Sequence, residues 1–157
     1  MHPIDEEYAW WVDIYWSRWR NLTDFLKDPR DDKAYLYRIA VRFGSYMPKL
    51  LYIGKVYDQY AGFRLTQSDH AQRRKKMERK YRRHALVVSL GTIDMPYGGR
   101  VTRARVDDIE RLLIWANEPE FNHRSRQDHC VEEDYKIKNR GSVGKMYRDL
   151  YFGLIAN

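Results

Sequence analysis

Residues 34–56 read AYLYRIAVRFGSYMPKLLYIGKV, and this stretch decides the fold. From Ala34 to Phe43, aromatic and β-branched residues recur at every second position, which is the period of a β-strand with one wetter face. A second apolar run, Leu50 to Val56, follows after only six residues, 44–49. So short a connection joins antiparallel strands and is too short for a crossover. The sequence therefore predicts a β-hairpin.

Three further elements are predicted after the hairpin. The segment from Ser68 to Arg83 begins with capping residues and carries eight Lys/Arg against one Glu between Ala71 and His84, so we expect a basic helix. Residues 85–93 are rich in β-branched side chains and predict a third strand. Residues 102–117 predict an amphipathic helix that stops before Pro119. The expected fold class is α/β (α+β), with a small, three-stranded, mainly antiparallel sheet flanked by helices.

The N-terminal region shows an apolar stripe with a helical period. Its members are Tyr8, Trp11, Val12, Tyr15, Trp19, Leu22 and Leu26. They fall within an arc of about 100°, which predicts one aromatic helix over residues 5–27, ended by a linker at 28–32. We expect a single domain, 1–157, with an N-terminal helical extension (1–33), a core (34–124) and a C-terminal extension (125–157).

Composition limits the class of protein. The chain has 157 residues with 29 Lys+Arg, 22 Asp+Glu and 43% apolar residues, which excludes a disordered or collagen-like chain. The longest apolar runs fall far short of the roughly 20 residues that span a membrane, and we expect no membrane partner. No secretory signal is visible, and the single Cys130 agrees with a reducing, cytoplasmic location. A net charge of +7 favours a polyanionic partner, most commonly nucleic acid.

The hairpin and the downstream elements resemble the GIY-YIG nuclease superfamily. Tyr35-Leu36-Tyr37 and Tyr52-Ile53-Gly54 resemble the two signature strands, and Lys55 follows the second. Four later residues resemble the conserved positions of that family in the right order, namely Arg64, His70, Glu110 and Asn122. The resemblance covers about residues 35–124. It implies a metal-dependent DNA endonuclease that uses direct attack of water, and a restriction-type, bacterial or phage-encoded member because no separate DNA-binding module follows.

The resemblance assigns the tyrosines a role in one cleft with Glu110. There Tyr37 or Tyr52 would position the attacking water, or accept its proton once Lys55 and the metal have lowered the tyrosine pKa. On residue type alone, a strand tyrosine is normally a half-buried packing residue with its hydroxyl in water. Gly54 would leave room for the phosphate backbone to approach, or would simply end the strand.

Phosphate recognition is expected from the segment after the hairpin. Arg64 is the candidate for a bidentate phosphate contact in the transition state, and Arg73 is its alternative if the helix begins only at Ser68. His70 would protonate the leaving oxygen or hold the phosphate. Asn122 is either an ordinary turn residue or a residue that holds the backbone of the site.

Glu110 falls in the middle of the apolar arc of its helix. A carboxylate is costly to bury, so Glu110 should meet a cation, which is either an arginine or a metal ion. With the order of motifs added, the metal is favoured. A single hard carboxylate suits Mg²⁺ (or Mn²⁺), which keeps several waters and takes further oxygens from substrate phosphate.

The basic helix is expected to lie along the backbone of double-stranded DNA. Its predicted contacts are Arg73, Arg74, Lys75, Lys76, Arg79 and Lys80. A homodimer would suit double-strand cleavage by a single-metal site, with Trp10 and Trp16 as surplus apolar surface. Two other classes stay open: an inactive nucleic-acid-binding protein on the same fold, since Tyr35 replaces the first glycine, and a structural or assembly protein with non-specific nucleic-acid affinity.

Overall fold

The computed structural model describes residues 9–27, 34–56, 61–123, 131 and 133–152. Seven strands and four helices lie within these residues. The strands are β1 (Trp10–Trp16), β2 (Arg20–Asn21), β3 (Leu36–Arg42), β4 (Lys49–Lys55), β5 (Ala85–Asp94), β6 (Tyr135–Gly141) and β7 (Asp149–Phe152). The helices are α1 (Leu22–Lys27), α2 (Ala61–Thr66), α3 (Ser68–Lys80) and α4 (Arg103–Asn117). The predicted linker at 28–32 and Cys130 lie outside the described residues.

The strands form one mixed sheet that curls into a half-barrel, in the order β4-β3-β5-β1-β6-β7, with β2 also paired to β5. The predicted small three-stranded sheet flanked by helices is therefore wrong. β1 and β6 are parallel, and the other pairs are antiparallel. The predicted hairpin, β3 with β4, is confirmed, as are the strand at β5 and the two helices α3 and α4.

The predicted helix over residues 5–27 is also wrong, because residues 10–16 form the central strand β1. Val12, Ile14 and Trp16 alternate toward the core, and β1 gains backbone partners from β5 on one side and from β6 on the other. These pairings join residues far apart in sequence and outweigh the local helical pattern. Trp16 is only 3% exposed, so it offers no surface for a dimer contact.

The two faces of the sheet carry separate apolar cores. One face packs against α4 and includes Leu36 and Ile53, together with the core residues of β1 and β6. The other packs against α1, α2 and α3 and includes Tyr37 and Tyr52. Thr102 Oγ1 accepts a hydrogen bond from the Arg105 amide at 3.2 Å and caps α4. No helix among the described residues is long and apolar enough to cross a membrane.

Buried Arg38 ties the C-terminal extension to the hairpin. Its guanidinium lies 4.5 Å from the Trp16 ring and 4.2 Å from the Trp19 ring, and it donates to the carbonyl oxygens of Ser142 and Val143. Burial lowers the Arg38 pKa to about 9. Arg38 alternates with the apolar residues of β3 and would be expected on its wetter face. It is instead buried and connects β3 to the C-terminal extension through hydrogen bonds.

Candidate functional site

Tyr37 and Tyr52 share one face of the hairpin. Tyr37 is directly opposite Gly54, and Tyr52 is two residues before Gly54 on the same strand. The centroids of the two rings are 5.8 Å apart. A Cβ atom at Gly54 would lie 2.5 Å from the Tyr37 hydroxyl oxygen. Glycine is therefore required there to admit the Tyr37 ring, a reason that neither predicted role of Gly54 included.

His70, in the first turn of α3, reaches the first of these tyrosines. Its Nδ1 is 2.9 Å from the Tyr37 hydroxyl oxygen, and the two rings meet edge to face. Tyr37 is fully buried and His70 is 6% exposed. The structure thus brings His70 to the tyrosines, and it places this pair beneath the surface.

Arg73, one turn further along α3, reaches the second tyrosine. Its Nη1 donates to the Tyr52 hydroxyl at 2.7 Å, and its guanidinium lies 4.6 Å from the centroid of the Tyr52 ring. Arg64 on α2 donates to Gln67 and also acts electrostatically on Tyr52 and Glu110. Both candidate arginines therefore belong to the cluster, with Arg73 in direct contact with a tyrosine.

Glu110 on α4 completes the cluster. Burial is the main cause that raises its pKa to about 7, with Asp107 adding to the rise, whereas Lys55, Arg64 and Arg73 act to lower it. Within the described part of the chain no hydrogen bond or ion pair joins its carboxylate to another residue. The described residues therefore include no arginine that forms an ion pair with Glu110, which was the alternative to a metal ion. Three cations therefore act electrostatically on a carboxylate that none of the described residues pairs with directly.

Lys55 is paired with another carboxylate, since its Nζ lies 2.5 Å from Asp107 Oδ1. The protein's own residues raise the pKa values of both Tyr37 and Tyr52, so Lys55 does not by itself produce the predicted lowering. Burial is the largest cause for each, and Glu110 adds to both. Both hydroxyls are therefore protonated at neutral pH and act as hydrogen-bonding groups.

Asn122 holds the outer edge of β4. Its Oδ1 accepts from the Ile53 amide at 2.9 Å, and its Nδ2 donates to the Ile53 carbonyl at 2.8 Å. The side chain replaces a neighbouring strand at this point, between Tyr52 and Gly54. Asn122 was predicted either as an ordinary turn residue or as a residue that holds the backbone, and these two hydrogen bonds favour the second role.

The predicted DNA contacts on α3 divide into two groups. Arg73 and Arg74 turn inward, with Arg74 donating to the Leu65 carbonyl at 3.1 Å and pairing with Glu78. Lys75, Lys76 and Arg79 lie on the exposed face, and the exposed Lys80 pairs with Glu120. The helix is docked through buried His70 and Met77, so its cations do not surround it as expected.

Asp107 is the site residue that sequence reasoning missed. It lies three residues before Glu110 on α4, which places both carboxylates on one side of the helix. That spacing was a usable signal. Among the described residues no group of three or more His, Cys, Asp or Glu side chains could hold a metal ion. The candidate for a cation ligand therefore remains a single carboxylate, Glu110.

Comparisons with protein-family models, curated proteins and solved structures find no match to this chain.

Proposed function

We propose that this protein is a metal-dependent endonuclease that hydrolyses phosphodiester bonds of double-stranded DNA by direct attack of water, as a restriction-type enzyme would. The observation that carries the proposal is the Glu110 carboxylate. Burial raises its pKa to about 7, it forms no ion pair within the described residues, and Lys55, Arg64 and Arg73 act on it electrostatically. A carboxylate for a cation beside arginines for phosphate is the combination that phosphodiester hydrolysis needs.

The donor set fits one Mg²⁺ or Mn²⁺ ion. Glu110 would hold it, with water and substrate phosphate as the other ligands, since Mg²⁺ is commonly bound through one or two carboxylates. When bound, the ion would supply positive charge that stabilises the reacting phosphate. Arg64 and Arg73 would bind the phosphate oxygens and stabilise the additional negative charge of the transition state.

The tyrosines would act by position. Tyr52 is 9% exposed and Tyr37 is fully buried, so Tyr52 is the hydroxyl that we place next to the attacking water. Tyr52 also orients Arg73 through their hydrogen bond. The Tyr37 hydroxyl also hydrogen-bonds to Nδ1 of His70, and which of the two groups donates is set by the tautomer of the imidazole. Tyr37 and His70 thereby brace α3 against β3 and fix Arg73.

Plasmid nicking tests this proposal against a role in binding alone. Purified protein is incubated with supercoiled plasmid in MgCl2, in MnCl2 or in EDTA. An endonuclease produces nicked or linear plasmid with either metal and none in EDTA. Plasmid that stays supercoiled in every buffer, while gel shifts show DNA binding, would support the inactive binding protein instead.

A homodimer would place two such sites on one duplex, and we include it in the proposal. Gel filtration at high salt, alone and with a short duplex, tests it. A monomer that converts nicked plasmid to linear plasmid only slowly would argue against paired sites.

A further inference from the structure

The face of the sheet that carries the tyrosines continues across strands far from them. Tyr37 on β3 is opposite Leu90 on β5, and alternation along β5 puts Thr92 on the same face. Thr92 is opposite Tyr15 on β1, which is in register with Arg140 on β6. Residues that are opposite each other in a sheet project to the same side. The tyrosine cluster and Arg140 therefore face the same way.

A cavity of about 410 Å³ lies at the end of the sheet formed by β6 and β7. Its charged lining consists of three cations, Lys138, Arg140 and Arg148, and one carboxylate, Asp149. Arg140 is paired with Asp13 at 3.2 Å. No described carboxylate is within ion-pair distance of Lys138 or Arg148, and Lys138 Nζ lies 5.8 Å from the centroid of the Trp11 ring, so neither cation is neutralised by a described carboxylate.

We propose that this cavity, which we call the β6–β7 cation cavity, is a second contact for the DNA backbone and binds a phosphate group through Lys138 and Arg148. Its excess of positive charge complements a phosphate diester, and lysine and arginine are the usual phosphate contacts. From β3 to β6 there are three strand intervals, or roughly 14 Å across the sheet. That separation is on the order of four base pairs of duplex at about 3.4 Å each, so one duplex can reach both places.

This inference uses the DNA partner of the proposed function but not its chemistry. It is tested in EDTA, where no cleavage is expected, by the fluorescence anisotropy of a fluorescein-labelled DNA duplex over a range of salt concentrations. Absence of plasmid cleavage would leave this result unaffected, and a failed binding result would leave the cleavage test unaffected. The two proposals are therefore distinguished.

The first variant removes these two cations, as Lys138→Ala with Arg148→Ala. We expect the slope of log affinity against log salt to fall by about two, and affinity near physiological salt to fall about tenfold or more. Lys75→Ala with Lys76→Ala removes two of the proposed DNA contacts of α3, so it serves as the positive reference and should lower the slope by a similar amount. An unchanged slope and affinity in the Lys138/Arg148 variant would overturn the proposal.

The second variant makes the opposite change and guards against misfolding. Asp149→Asn removes the one carboxylate of the cavity, so we expect it to tighten duplex binding severalfold more than the same charge change elsewhere on the protein. Asp24→Asn changes the net charge equally on α1 and serves as the control. Equal affinities for these two variants would contradict a phosphate site in the cavity.

Discussion

The Tyr37 hydroxyl lies 2.9 Å from Nδ1 of His70, and this buried contact joins β3 to the first turn of α3. The same helix carries Arg73 to Tyr52 one turn later. The two contacts determine where the basic helix sits on the hairpin. They also explain why a histidine and an arginine from a strongly charged segment point into the protein.

Tyr37→Phe should destabilise the protein without changing its fold. The substitution leaves the buried Nδ1 of His70 without the Tyr37 hydroxyl, at a cost of about 1 to 3 kcal/mol in the free energy of unfolding. Urea denaturation measures this change. Tyr46→Phe is the matched control, because Tyr46 is 78% exposed and should be neutral. Equal stability of the two variants would show that the Tyr37 contact contributes little.

The exposed cations of α3 should control part of the salt dependence of DNA binding. Replacement of Lys75, Lys76 and Arg79 by Ala removes three exposed charges, so the log–log slope should fall by up to about 2.7, at about 0.9 per phosphate neutralised. Arg74→Ala should leave that slope unchanged, since Arg74 is bound to Leu65 and Glu78. Filter binding across salt concentrations measures the slope for both variants. An unchanged slope in the triple variant, with a lower slope in Arg74→Ala, would mean that the exposed face of α3 points away from DNA.

Arg38→Ala should loosen the C-terminal extension. It opens a cavity between Trp16 and Trp19 and removes the donor of two carbonyl groups, so we expect a loss of about 3 to 5 kcal/mol. Trypsin should then cut faster at Lys145, beside the carbonyls that Arg38 holds. Arg42→Ala, at an exposed position of the same strand, is the control. Protection of Lys145 in both variants would argue against the crosslink.

The stability of the metal-free protein should depend on the charge of Glu110. Because folding raises its pKa from 4.5 to about 7, folding favours the protonated form. The stabilisation that protonated Glu110 gives the folded state is complete below pH 4.5, the unfolded pKa, and is lost as the pH rises through the folded pKa of about 7. Relative to Glu110→Gln, the wild type should lose up to about 3 kcal/mol over this range. Melting curves in EDTA at several pH values measure the difference, which an ion-paired Glu110 would reverse in sign.

Local patterns predicted the hairpin, β5, α3 and α4, because each of these elements has a period or a cap of its own. They failed for β1, where Trp11, Val12 and Tyr15 fit a helical stripe while Val12, Ile14 and Trp16 fit a strand. The choice depends on pairing with β6, more than 100 residues away. The alternation in β6, with Tyr135, Ile137 and Asn139 buried, is visible in the sequence and is typical of a strand.

The sequence predicted which side chains lie near one another better than it predicted their electrostatics. The structure brings His70 to Tyr37 and Arg73 to Tyr52, and Arg73 also acts electrostatically on Glu110. Sequence spacing alone did not show where the helix that carries His70 and Arg73 begins. The tyrosine pKa values and the role of Gly54 were not predictable, because both depend on how deeply the Tyr37 ring is buried.

The rate at which the Glu110→Gln variant nicks plasmid DNA tests the central claim, that Glu110 is the metal ligand of a nuclease. The rate of plasmid nicking in MgCl2 is compared with that of Glu118→Gln, which makes the same chemical change at an exposed position at the end of α4. We expect Glu110→Gln to lose several orders of magnitude in rate, while its DNA binding persists and its melting temperature in EDTA at pH 8 equals or exceeds that of the wild type. Undiminished nicking together with a lower melting temperature would contradict the claim.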